Sequence, residues 1–307
     1  MKKLISFILI FPVCAAVFAD TPYNDILREK IDISGIVEWD TFSISADISL
    51  DMASAGIKLP SGRTQGELLL AAGYLKLIQP GILNLQFDSS STIGDLVERG
   101  EFSLPETDTF ALKAQSLPPS LSPDLRKMSS TYTLALSGLN AAFLRHKRPS
   151  PVLRILNPVS SARYTGIIII ADGELPVHGM KSKAMPVPCL FPKIWDSEMN
   201  LIYERNMLET QNSAAAHGSA MVRYSSSNSI FQRNPSGLTK ELIAAVGEKP
   251  LRIFASGVFG SKPTDLIIDR SDALLIISSE ENHRLLREGK VAIILNDLVL
   301  KNKFTGN

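Results

Sequence analysis

The chain has 307 residues, with 32 Lys and Arg against 31 Asp and Glu, 45% hydrophobic residues and only two cysteines. This balance lacks the basic excess by which a domain grips nucleic acid, so that class of partner is excluded. The length and apolar content suit a folded core in one large or two medium domains.

The first residues carry the three parts of an export signal. Lys2 and Lys3 form a positive n-region, Leu4 to Val13 an apolar h-region, and Val17-Phe18-Ala19 offers small side chains where a signal peptidase reads them. Processing is expected between Ala19 and Asp20. An h-region of about ten residues is too short for a hydrocarbon core that takes roughly twenty, so removal is expected and not anchoring. Cys14 follows Phe11-Pro12-Val13, which is bulky where a lipoprotein peptidase takes a small residue. A soluble periplasmic protein is therefore expected ahead of an outer-membrane lipoprotein, and no lipid anchor. Losing the leader leaves 30 basic against 31 acidic residues and Cys189 alone, which rules out an intramolecular disulfide. No later stretch is long and apolar enough to span a membrane.

The fold class expected is α+β, as two mixed domains: a signal peptide at 1–19, an N-terminal domain at 20–147, a proline-rich linker at 148–162 and a C-terminal domain at 163–307. Phe42 to Leu50 alternates apolar and polar as a half-buried strand does. Leu68, Leu69, Ala72, Leu75 and Ile78 recur at helical spacing and predict a helix that stops at Pro80-Gly81. Thr92 with Asp95 three residues on predicts a helix N-cap. Leu117 to Pro123 is a proline-rich break, and Tyr132 to Leu136 returns to strand alternation. Prolines 149, 151 and 158 mark the linker.

Beyond the linker, Thr165 to Ala171 predicts an aliphatic strand covered on both faces, and Phe191 to Tyr203 a hairpin. Leu238 to Val246 predicts a helix closed by Gly247, Leu251 to Val258 a strand, and Leu266 to Ile268 another. Ser271 is the expected cap of a short helix from Asp272. A second helix is expected at Glu280 to Arg287, ended by Gly289, and Val291 to Leu295 is the expected final strand.

Reactive constellations are scarce. His146, His178, His217 and His283 are spread along the chain, so no zinc signature exists and no metal or other cofactor is expected. Ser256-Gly257 and Gly218-Ser219 lack the glycine of a nucleophile elbow. A hydrolase would have to bring together two or more of His217, Ser256, Asp265, Asp172 and Glu174. Asp88-Ser89-Ser90-Ser91-Thr92, after the apolar run Ile82 to Phe87, offers hard oxygens to a divalent cation and equally makes a polar turn with a cap; the cap is preferred. Arg145 to Arg148 reads as a solvated basic cluster, and Gly257 to Lys262 lacks the spacing of a phosphate loop. No catalytic, cofactor-binding or metal residue is expected.

Tyr164-Thr165-Gly166-Ile167-Ile168-Ile169, Phe191-Pro192-Lys193-Ile194-Trp195-Asp196, Asp272-Ala273-Leu274 and Glu288 to Leu295 resemble exported proteins of unknown activity from spirochaetes and other diderm bacteria. The resemblance extends to the lipoprotein-20-like envelope family and to the flagellar T-ring assembly protein, and covers 39–145 and 164–295. It implies envelope or flagellar protein partners and brings no catalytic residues with it. The family's lipobox is absent here.

The preferred reading is a non-enzymatic periplasmic envelope protein, accessory to flagellar or outer-envelope assembly through protein–protein contacts. Its rivals are a periplasmic hydrolase or metal enzyme, and a module for a small ligand or peptidoglycan in a pocket between the domains. A buried cluster of reactive groups marks the first rival, and a concave apolar pocket the second. An exposed apolar patch or unpaired sheet edge marks the preferred reading.

Overall fold

The computed structural model describes residues 30–144, 148–151, 153, 155, 157–209 and 222–305. The leader with Ala19 and Asp20, Cys14, His146 and His217 lie outside the described residues. The structure is α+β, carried by an antiparallel six-stranded sheet and a mixed seven-stranded one.

The first sheet grows from alternating side chains. In β1 (Ile31–Glu38) Ile31, Ile33 and Val37 lie opposite Leu50, Ile48 and Ile44 of β2 (Ser43–Asp51), and all six are buried. The two-residue strands β3 (Gln115–Ser116) and β4 (Ser120–Leu121) and the long β5 (Lys127–Ala135) complete the far side, with β5 against β2. The sequence shows only a proline-rich break where β3 and β4 pair.

The inner face of this sheet takes helix α1 (Arg63–Leu77), which turns directly into α2 (Gln79–Leu83). Pro80 does not end helical structure here. It sits in the first turn of α2, where its missing N–H costs nothing. The expected apolar face of α1 is also rotated: Leu68 is 64% exposed, whereas Gly66, Leu69, Leu70, Gly73, Tyr74 and Leu77 are buried. Tyr74 stacks on Tyr132 of β5, with ring centroids 4.1 Å apart. Helix α3 (Ile93–Glu98) begins at Thr92 with the expected capping box, followed by α4 (Leu104–Ala111) and α5 (Ser137–Phe143).

The linker is not free of the second domain. Ser150 N–H donates to Asn206 O at 2.6 Å, Val159 N–H to Ser278 Oγ at 3.0 Å, and Ser161 Oγ–H to Leu275 O at 2.6 Å.

The second sheet has seven strands. At its centre are β6 (Ile167–Ile170) and β14 (Val291–Leu295), aliphatic runs covered on both faces as parallel strands require. A small hairpin of β7 (Leu175–Pro176) and β8 (Lys183–Ala184) lies outside the sheet. The other strands are β9 (Ile194–Asp196), β10 (Leu201–Tyr203), β11 (Arg223–Ser226), β12 (Leu251–Phe259) and β13 (Asp265–Ile268), in the order β10-β9-β13-β12-β6-β14-β11. Helix α6 (Lys240–Val246), ended by Gly247 at φ 75°, covers Ile168, Ala292 and Ile294 on one face. Helices α7 (Arg270–Ile277) and α8 (Glu280–Arg287) follow; α7 starts two residues earlier than expected, with Asp269 and not Ser271 at its N-cap.

Val291 to Leu295 is not the last strand. A 3₁₀ turn at Asp297–Val299 leads into β15 (Lys301–Thr305), which pairs antiparallel with β1 of the first sheet. The expected C-terminal domain of 163–307 therefore gives its last strand to the other sheet. One hydrophobic core runs through both, from Ile44 and Leu70 to Ile169 and Ile293.

Gly166 shows how closely α6 sits on the second sheet. A Cβ there would lie 2.6 Å from Val246 Cα and collide with its carbonyl oxygen, so a backbone would have to move. Gly166→Ala should cost about 1–3 kcal/mol, as overpacking does, read as a lower urea midpoint at unchanged slope.

Candidate functional site

The junction between the sheets is built from the loop that follows Phe87. Asp88 folds that loop: its Oδ1 accepts from Ser90 N, Ser90 Oγ and Ser91 N, each at 2.9 Å. Thr92 and Asp95 bond reciprocally, and the Thr92 N–H and hydroxyl hold the Asp95 carboxyl below its ordinary pKa. Asp88 Oδ1, Asp95 Oδ2 and Thr92 Oγ1 are thus engaged in holding the turn and the cap. No group of three or more His, Cys, Asp or Glu among the described residues is placed to hold a metal.

Ser89 is the residue this turn presents outward. Its Oγ–H donates to Asp265 Oδ2 at 3.0 Å, and its carbonyl accepts from Lys262 N at 3.0 Å and Ser261 Oγ at 2.9 Å. The loop Gly260 to Thr264 closes on it, and a Cβ on Gly260 would collide with the Ser89 side chain. Asp265 also accepts from Lys193 N–H at 3.1 Å, Trp195 Nε1–H at 3.3 Å and Thr264 Oγ1–H at 3.4 Å. The carboxylate is 1% exposed, and burial outweighs these donors, so its pKa is raised.

Beside the clasp, Leu190 and Phe191 N–H donate to Gln86 O and Phe87 O at 3.0 and 2.9 Å. The Arg205 guanidinium lies over the Phe87 and Phe191 rings, 5.0 and 5.5 Å from their centroids. A cavity of about 90 Å³ opens there, lined by Phe87, Asp88, Phe191, Lys193, Glu204, Arg205 and Asn206. Organic ligands use pockets of roughly 300–1,000 Å³, so this one has room for an ion or a few waters.

Among the described groups a hydrolase would need, Ser256, Asp265 and Asp172 each hold different partners. Ser256 Oγ–H, on the exposed side of β12, donates to Ile267 O at 3.3 Å. Asp172 accepts from Ser227 Oγ–H and from Asn296 Nδ2–H, and Glu174 is exposed. His178 is exposed beside Phe259, and His283 is buried in α8 with Nδ1 3.6 Å from Glu280. Cys189 is fully buried, its thiol pKa pushed up by burial, and its backbone is bracketed by the Tyr224 hydroxyl. Such a thiol is inert. No reactive pair forms among the described residues of this set.

The feature that sequence reasoning missed is apolar. Along β12 the outward positions are Arg252, Phe254 and Ser256, and Phe254 is 71% exposed. Phe231, 77% exposed, leaves the loop that Arg252 holds through its bond to Ser236 O. The signal was there to be read: an aromatic standing in the polar phase of an alternating strand.

The buried Asp265 sets a pH dependence. A carboxyl whose folded pKa is raised binds its proton more tightly folded than unfolded. It therefore supports stability at low pH, and that support fades as pH rises from about 4 through the folded pKa. Asp265→Asn should remove this fall, giving a flatter plot of unfolding free energy against pH above about 4 than wild type.

Residues 30–142 match the family model described as Treponema pallidum Tp0624, N-terminal domain. Residues 166–297 match the model described as Treponema pallidum Tp0624, second domain. The two matches follow each other along the chain in that order. No curated protein matches the chain.

Proposed function

We propose that this chain is an exported, non-enzymatic envelope protein that docks a protein partner on the open face of its seven-stranded sheet. The observation that carries the reading is Phe254, 71% exposed on β12 beside two strands whose same face is covered by α6. Apolar surface left in water beside covered strands marks an interaction site. Phe231 and the Arg252 stem add to it, and aromatics with Arg are the residue types that dominate interface energies.

Two further observations support it. The candidate catalytic groups at Ser256, Asp265 and Asp172 each spend their hydrogen bonds on separate structural partners. The junction cavity is too small for an organic ligand. The Lys2 to Ala19 leader supports export, and the sequence resemblance supports flagellar or outer-envelope assembly as the setting.

The test is a crosslinking pull-down from intact cells, wild type against Phe231→Ser/Phe254→Ser. The double variant should lose its captured partners while its stability changes by no more than about 0.5 kcal/mol, as for surface substitutions. Equal capture by both proteins would defeat the reading.

A further inference from the structure

Phe304 of β15 lies in a slot made by two backbone positions, Gly35 on β1 and Gly81 on α2. A Cβ on Gly35 would clash with the Phe304 ring, 2.1 Å from its Cζ, and one on Gly81 would sit 2.7 Å from the ring. Lys301 Nζ meets Glu38 Oε1 at 2.8 Å, and the ladder pairs Ser34 to Glu38 with Thr305 to Lys301. The β1 edge thus reads a short extended strand with a basic residue and an aromatic three positions later.

The strand that fills this edge comes from elsewhere. It lies beyond both family matches, which end at 142 and 297. Apart from Phe304, its side chains are exposed, so the strand itself is held by one ladder, one ring and one ion pair, with buried Leu300 and its bond from Trp39 N–H just before it. It hangs on the 3₁₀ turn Asp297–Val299, where Leu298 is 83% exposed. Among the described residues none buries that leucine.

We propose that the β1 edge with its two-glycine slot is a strand-acceptor site, and that its partner is the β15 strand of a second copy. Exchange recreates every contact of β15 across the two copies, so hinge and concentration decide between closed monomer and exchanged dimer. Exchange carries Leu300 along with the strand, so the hinge is the Asp297–Val299 turn that bears Leu298. Simple pairing of two β15 outer edges is disfavoured, because exposed Lys301 and Lys303 guard that edge. The proposal is independent of the sheet-face docking, since Phe231 and Phe254 take no part.

Complementation between two full-length variants tests it. Phe304→Ala has an open slot, and Gly35→Val has a strand that its own slot refuses. Each alone should elute as a monomer; mixed, partially unfolded in urea and diluted, they should give a 1:1 heterodimer by light scattering. Circular dichroism checks that both are folded. A mixture of folded variants that stays monomeric overturns the proposal. Should either variant fail to fold, two mass-tagged wild-type chains refolded together at high concentration replace them. Mixed-tag dimers are then expected, and monomer alone overturns the proposal.

Discussion

The contact of the Phe304 ring with two glycines fixes where the chain must end up. A ring can lie against backbone only where no Cβ intervenes, and Gly35 and Gly81 supply that at two separate elements. Because β15 follows β14 of the second sheet, seating the ring draws the two sheets together. The first sheet then has β15 at its edge, with charged residues toward water, where β1 would otherwise stand open. The shared core lies under that closure and is joined independently by Trp39 against Tyr224 and Phe87 against Phe191.

What fills the junction is aromatic surface and backbone, with little net charge. Trp39 stands edge-on to Tyr224, centroids 5.9 Å apart, and Tyr224 holds the backbone of Cys189. Phe87, Phe143 and Phe191 meet in T-shaped pairs, an arrangement that puts ring edges on ring faces. Arg205 lies over two of those rings, while Asp265 is the buried carboxylate, and its four donors offset part of a large desolvation cost. Breaking one of them, as removal of the Ser89 hydroxyl would, leaves a buried carboxylate short of a partner. That asymmetry makes the clasp selective for the closed arrangement.

Some of this was legible in the sequence because the residues had no other home. Ile167 to Ile170 and Val291 to Leu295 are too apolar for any place but a covered strand, and the three-residue spacing of Thr92 and Asp95 announces a cap. The face of α1 was misread because its packing depends on Gly66 and Gly73, and a count of apolar side chains does not see a glycine face. A Cβ on Gly73 would lie 2.6 Å from Ile31 Cδ1, so the helix sits closer there than any side chain allows. Lys-Asn-Lys-Phe-Thr has one apolar residue in five and becomes a strand only because β1 offers an edge. Ser89 and Asp265, 176 residues apart, carry no sequence signal of their meeting.

The open face of the second sheet bears on function through a packing rule. Parallel strands are normally covered on both sides, and β6 and β14 obey this, with α6 on one face and the shared core on the other. β12 is parallel to β6 on one side and antiparallel to β13 on the other, so it stands where the parallel region ends. An antiparallel pair tolerates water on one face when that face is polar, as Arg252 and Ser256 are. Phe254 between them is not polar, and the ladder does not need it: a threonine would serve the strand as well. On the docking reading proposed above, that aromatic is accounted for by a partner's surface, since backbone geometry leaves its position free.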